Sequence, residues 1–240
     1  MNLKSDLEQI IVGDVVTDST SLETAMRDAS LLEVRPEVVV RPKDVEDVKK
    51  LVIYASEHGN VNLTARSGGT GMDGGALGES IVVDFNKYLT QIGEVTDEYA
   101  IVTPGCFYRD FQKATRARNR IMPSYPASWQ ICTVGGMVNN NAGGEKTLVY
   151  GKTEDYVRRL KVVLADGNEY EIKPLNREEL EAKKAQNNFE GQVYRELHQL
   201  IEDNYDAIKD AKPRVSKNSA GYYLWNVWDR ETGIFDLTQL

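Results

Sequence analysis

Between positions 67 and 78 the chain reads Ser-Gly-Gly-Thr-Gly-Met-Asp-Gly-Gly-Ala-Leu-Gly. Glycine at that density is incompatible with a helix or a regular strand, because each one adds backbone freedom that folding must remove and offers no side chain to pack. The segment is therefore irregular backbone. Without Cβ atoms its N–H groups can close on an anion, and a pyrophosphate is the natural guest. A plain surface loop or a run of bulges is the alternative reading of this segment taken alone.

The flanking pattern narrows the choice. Residues 37–41 form a β-branched run closed by Pro42, and Asp44 can cap a helix that puts Val45, Val48, Leu51, Val52 and Ala55 on one face before Gly59-Asn60 ends it. Residues 61–66 read as a second strand, parallel to the first through a right-handed crossover. The glycine segment then runs into a strand at 81–85, not into a helix, so it is not the Rossmann fingerprint. Gly151-Lys152-Thr153 resembles the end of a Walker A loop, but Lys146 stands where the upstream glycine is required. No His-Arg-Asp occurs to support a kinase reading.

Further along, residues 100–103 predict a strand ending at Pro104-Gly105, followed by a helix over 107–119 with Phe107, Phe111 and Ala114 inward. Residues 123–151 show little regular pattern and many Pro, Ser, Asn and Gly residues, as expected of a segment ordered by a ligand. Residues 160–164 and 169–172 flank Asp166-Gly167, a hairpin signal. Residues 176–211 predict one or two amphipathic helices with Val193, Leu197, Leu200 and Ile201 on one face. No repeat or linker divides the chain, so the fold class is α+β with two lobes.

Composition excludes several functions. With 37 acidic and 29 basic residues the net charge is -8, which disfavours nucleic acid as a partner, and the Arg116, Arg118 and Arg120 cluster reads as a solvated helix end. Two cysteines, Cys106 and Cys132, and two histidines, His58 and His198, leave little material for a disulfide scaffold, a metal site or a serine-type triad. Apolar runs are too short to span a bilayer and the N-terminus has no signal-peptide pattern, so the expectation is a cytoplasmic protein without transmembrane segments.

Several segments recur in one family's order and spacing. They are Arg66-Ser67-Gly68-Gly69-Thr70-Gly71 with Met72, Pro104-Gly105, Pro123 to Ser128, Cys132-Thr133-Val134-Gly135-Gly136, Asn139 with Asn141-Ala142-Gly143-Gly144, and Tyr150-Gly151. From about Asp28 onward the chain resembles the FAD-binding domain of the vanillyl-alcohol oxidase/p-cresol methylhydroxylase superfamily, in its D-lactate dehydrogenase and glycolate oxidase branch. The resemblance implies a two-lobed domain: a βαβ first lobe within residues 1–91, after an N-terminal extension, and a mixed-sheet second lobe over 92–240. FAD would lie between them, its pyrophosphate against the first glycine loop and the Val134-Gly135-Gly136 turn, with 141–144 and 150–151 near the flavin or ribityl chain. It also implies oxidation of a small 2-hydroxy acid such as D-lactate or glycolate.

Some relatives tether the flavin through a His in the first loop; Thr70 stands there in this chain, and Cys132 reads as a buried thiol, so FAD is expected to be noncovalent. An acidic protein with no lysine inside either glycine loop fits a pyrophosphate held by backbone N–H donors. No residue qualifies as catalytic base: His58 and His198 read as structural, and Asp84 and Glu145 as ordinary turn acids. Segments 219–225 and 235–240 look like those that precede a further glycine element in the family, which leads to the expectation of a truncated second lobe completed by a C-terminal chain or a second copy. Tyr222, Tyr223, Trp225 and Trp228 would then pack in the core or face that partner. Two other readings stay open: an enolpyruvyl-sugar reductase-like flavoprotein, and a non-catalytic nucleotide-binding or interaction module.

Overall fold

A computed structural model describes residues 2–215, 218 and 221–240. The chain forms two compact units, Met1–Thr153 with Ala165–Asn168, and Glu154–Leu164 with Glu169–Leu240. The 91/92 boundary expected from the resemblance falls inside the first unit.

The first unit opens with α1 (Leu3–Ile10), β1 (Asp14–Val16) and α2 (Ser19–Ala25), followed by β2 (Val38–Arg41), α3 (Val45–Glu57), β3 (Leu63–Arg66) and β4 (Ile81–Asp84). These strands make one sheet in the order β1-β2-β4-β3. β2 and β3 are both parallel to β4, and β1 is antiparallel to β2. The two strands joined by α3 are thus parallel but not neighbours. β4 enters between them because Ile81, Val82 and Val83 are apolar on both faces, the pattern of a central strand.

Side-chain alternation then sorts the helices. Val38, Val40, Ile81 and Val83 pack with Leu3, Leu7, Leu51 and Tyr54 on one face, while Val39 and Val82 pack with Leu22 and Ala25 on the other. The N-terminal residues, read from the sequence as an extension, therefore supply a helix to each face and an edge strand. Asp44 caps α3 by accepting from the Glu46 and Asp47 N–H groups at 3.0 and 3.2 Å. The buried carboxylate of Asp47 ties the start of β1 to that helix, accepting from the Val12, Gly13 and Lys43 N–H groups, each at 2.8 Å.

The rest of the unit holds the hairpin β5 (Ile92–Val95) and β6 (Ala100–Val102), then α4 (Tyr108–Arg116), α5 (Val134–Asn139) and α6 (Thr147–Tyr150). The inward face of α4 is Tyr108, Phe111, Gln112 and Thr115, so Phe111 is inward as read from the sequence, while Tyr108 and Thr115 take the places expected for Phe107 and Ala114. Phe107 is the N-cap residue, and its ring lies under the Arg109 guanidinium, 4.2 Å from the centroid. The expectation of irregular backbone throughout 123–151 is also corrected: the Thr133 side chain caps α5, and two glycines are carried inside that helix. Cys106, Tyr108, Phe111, Cys132, Val134, Met137 and Ala142 form the local core.

The second unit contains the expected hairpin, β7 (Leu160–Val163) with β8 (Glu169–Ile172), then α7 (Arg177–Lys184), α8 (Phe189–Asp203), α9 (Tyr205–Asp210), α10 (Leu224–Val227) and the short pair β9 (Trp228–Asp229) and β10 (Ile234–Phe235). Asn176 and Glu179 form a reciprocal capping box at the start of α7. Leu175, Leu180, Tyr194, Ile201, Val227, Trp228, Phe235 and Leu237 make the core. Leu200, expected inward, is 47% exposed, because the face defined by Val193, Leu197 and Ile201 turns it to solvent. Of the aromatics read together at 222–228, Tyr223 and Trp228 are buried, Trp225 is half-buried and Tyr222 is 76% exposed. Ser219 and Ala220 of that segment lie outside the described residues.

Candidate cofactor site

The first glycine loop leaves the C-terminal end of β3, where ligands of parallel sheets generally bind. Its base is fastened by Arg66, whose guanidinium donates to the carbonyls of Thr24, Ala25 and Arg27 at 3.1, 3.2 and 2.7 Å. Burial of this guanidinium lowers its pKa from the ordinary arginine value, with Asp84 and Asp28 opposing the shift. Arg66 thus holds the loop from behind. Gly69 takes φ +60°, and a Cβ there would sit 2.5 Å from the Arg66 Nη2 atom, so both backbone and space demand glycine. Among the described residues, none accepts a hydrogen bond from the backbone N–H groups of Gly68, Gly69, Thr70 or Gly71.

The second glycine segment is built differently. The N–H of Val134 donates to Cys106 O at 2.8 Å, that of Gly135 to Pro104 O at 2.9 Å, and that of Gly136 to Thr133 Oγ1 at 3.4 Å. A Cβ on Gly135 would stand 2.6 Å from Pro104 Cβ and 2.7 Å from its carbonyl oxygen, so glycine here permits a close backbone crossing. A pyrophosphate contact from this turn would require those bonds to be exchanged. The hydroxyls of Ser67 and Thr133 bond each other and join the two segments.

A cleft of about 160 Å³ lies between them. Of the residues singled out from the sequence, Ser67, Gly68, Gly69, Thr70, Gly71, Ser128, Thr133, Gly136, Asn139 and Ala142 line it. Arg66, Pro104, Gly105, Pro123, Val134, Gly135, Asn141, Gly143, Gly144, Tyr150 and Gly151 are not in its walls, and Met72 is 83% exposed outside it. Hydrogen bonds behind the lining residues support the walls. Ser124 and Thr153 donate to Ala142 O at 3.3 and 2.7 Å, and Thr147 Oγ1 accepts from the Gly144 N–H at 2.8 Å. Asp73, Pro126, Cys132, Met137 and Asn140 also line the cleft. Met137 and Asn140 carry no signal in the sequence reading, and Asp73 enters it only as part of the glycine loop.

Both cysteines are buried, and burial pushes each thiol up to about 11. Cys132 therefore presents a protonated thiol to the cleft near neutral pH, chemistry unsuited to nucleophilic attachment. His58 stacks on Tyr54 with ring centroids 4.1 Å apart, and His198 meets the Trp228 and Phe235 rings at 5.3 and 5.7 Å. Among the described residues, no group of three or more His, Cys, Asp or Glu could hold a metal ion, and no helix is long and apolar enough to cross a membrane.

A mixed sheet flanked by helices, with a glycine loop of undonated N–H groups at the end of a parallel strand, defines a nucleotide-binding α+β domain. The sequence profile of the family described as the FAD binding domain matches residues 36–173, and the chain belongs to that family. The p-cresol methylhydroxylase-type resemblance in the sequence agrees with this membership. D-2-hydroxyglutarate dehydrogenase of Escherichia coli (strain K12) is 29% identical over 245 residues, covering 100% of this chain and 24% of that protein. Glycolate oxidase subunit GlcD of Bacillus subtilis (strain 168) is 36% identical over 136 residues, covering 55% of this chain and 29% of its own. The chain thus spans about a quarter of the length of the curated relatives it matches. Among solved structures, a chitooligosaccharide oxidase superposes with TM-score 0.63 at 20% identity, covering 76% of this chain and 39% of that one. An alkyldihydroxyacetonephosphate synthase gives TM-score 0.62 at 19% identity, covering 71% and 37%. These two likenesses show the shared fold.

Proposed function

We propose that this chain is the cofactor-holding portion of an FAD-dependent dehydrogenase or oxidase that acts on a small 2-hydroxy acid, with FAD bound noncovalently. The observation that carries the reading is the run of N–H groups from Gly68 to Gly71, which have no acceptor among the described residues and border a cleft. Such a run suits a pyrophosphate, because neutral dipoles can hold its charge without a lysine.

Ser67 to Gly71 form the proposed pyrophosphate cradle. Thr133, Gly136, Asn139 and Ala142 form the facing wall, against which the ribityl and flavin part would lie. Arg66, Pro104, Val134, Gly135 and Gly144 keep these walls in place through backbone and side-chain hydrogen bonds. The proposed subdomain division near position 91 separates the β3–β4 side of the cleft from the side that carries α5. Bound FAD supplies the hydride-accepting chemistry, and the chain's residues bind it, orient it and exclude water.

The substrate class rests on relatives named for 2-hydroxyglutarate, glycolate and D-lactate. A substrate-holding part contributed by further chain or by a second copy, and residence in the cytoplasm, belong to the same proposal. The test is a titration of FAD into the purified chain, followed by flavin fluorescence with circular dichroism as a folding control. Saturable binding supports the reading, and a folded chain that ignores FAD overturns it. Anaerobic bleaching of the bound flavin by D-lactate, glycolate or D-2-hydroxyglutarate then tests the substrate class.

A further inference from the structure

We propose that Asn86 is the positioning residue of the glycine loop, aiming the Gly68 N–H into the cleft; this rests on the pyrophosphate reading above. Asn86 follows β4 and does not line the cleft. Its Nδ2 donates to the carbonyl of Ser67 at 2.5 Å, and its own N–H donates to Asp84 Oδ1 at 3.0 Å. Asp84 in turn pairs with Arg41 at 3.3 Å, so Asn86 is anchored to the central strands of the sheet.

The geometry of the peptide unit does the rest. No cis peptide occurs among the described residues, and in a trans peptide the C=O and the following N–H point in opposite directions. Holding the Ser67 carbonyl from behind therefore turns the Gly68 N–H toward the opposite side, where Ser67 and Gly68 border the cleft. The Ser67 hydroxyl, bonded to Thr133, ties the same residue to the N-cap of α5.

A second observation separates this role from that of an ordinary turn residue. Asn86 Oδ1 is buried without a hydrogen-bond partner. Turning the amide over would point that oxygen at the Ser67 carbonyl, two acceptors face to face, so the arrangement with one unsatisfied acceptor is retained for the sake of the donor. A hydrophobic residue of the same size would fill the space without that cost but would release the carbonyl.

The experiment titrates FAD into the wild-type chain, Asn86→Leu and Asn86→Asp, with circular dichroism on each. Asn86→Leu should stay folded and bind FAD about tenfold more weakly, the loss of one well-placed charge-assisted donor. For Asn86→Asp, binding should be weak at pH 8 and recover as pH falls through the carboxyl range, because only the protonated carboxyl can donate to Ser67 O; the wild type should stay flat over the same range. A merely structural role would show as loss of the circular dichroism signal over the same pH range, whereas loss of positioning leaves that signal flat and moves FAD affinity alone. Wild-type affinity in Asn86→Leu, or a profile for Asn86→Asp parallel to the wild type, overturns the proposal while FAD binding itself stands. If the wild type does not bind FAD, the underlying reading falls and takes this one with it. Should Asn86→Leu fail to fold, the pH profile of Asn86→Asp decides.

Discussion

The two glycine-rich segments of the first unit look alike in sequence and are opposite in structure. In the 67–71 loop the glycines leave consecutive N–H groups without acceptors at the edge of a cleft, whereas at 134–136 each N–H already has one: Cys106 O, Pro104 O and Thr133 Oγ1. The first segment uses missing Cβ atoms to expose donors. The second uses them to let two backbone stretches cross at close range. Glycine density alone therefore does not mark an anion site; the destination of the backbone hydrogens does.

Substitutions can pull these two roles apart. Gly135→Leu should be the most damaging, because its Cβ would overlap Pro104 backbone and ring atoms; a loss of about 3 kcal/mol is expected from overpacking. Urea unfolding measures it, and FAD affinity of the residual folded fraction should change little. Gly69→Ala reverses the balance. Forcing an alanine into positive φ costs about 1–2 kcal/mol, and the Cβ meets the Arg66 guanidinium that three carbonyls hold in place, so the loop must shift and the larger effect should be a loss of FAD affinity of about a hundredfold. If Gly69→Ala lost stability alone, the two segments would have the same role.

Thr133→Val removes the hydroxyl contact to Ser67 that links the segments, and should lower both stability and affinity by about 1 kcal/mol. The cysteines give a pH test of the packed side. Their thiols rise from the ordinary 9.0 to about 11 on burial, so the native state favours the neutral form. Their contribution to stability is full below pH 9 and is lost as pH rises from there toward about 11, where the unfolded chain ionises first. Urea midpoints between pH 8 and 11 for the wild type and for Cys106→Ala/Cys132→Ala should show a steeper decline in the wild type. The smallest effect is expected from Asp73→Asn. Its carboxylate lines the cleft near Gly71, so removing the charge should tighten FAD binding a few-fold, more at low ionic strength than at high.

Much of this architecture was legible in the sequence because short-range rules governed it. Asp44 capped its helix, the β-branched runs became strands, and Asp166-Gly167 joined a hairpin. The insertion of β4 between β2 and β3 was not legible, since strand order depends on which run can be buried on both faces. Nor was the helix at 134–139, where tertiary bonds to Cys106 and Pro104 outweigh the poor helix propensity of two glycines. At the site, the glycine loop was visible as a pattern, but the structural duty of Arg66 depends on carbonyls about forty positions earlier in the chain. Asn86 carried no local signal, because its partner Ser67 lies at the far end of the loop.

The most direct test follows backbone amides one by one, by proton–nitrogen correlation spectra of the chain with and without FAD. The account predicts that the resonances of Gly68, Gly69, Thr70 and Gly71 move downfield and gain exchange protection on binding, while those of Val134, Gly135 and Gly136 keep their positions and their existing protection. Protection that appears at 134–136 and leaves 68–71 unchanged would contradict it and place the pyrophosphate on the segment described here as structural.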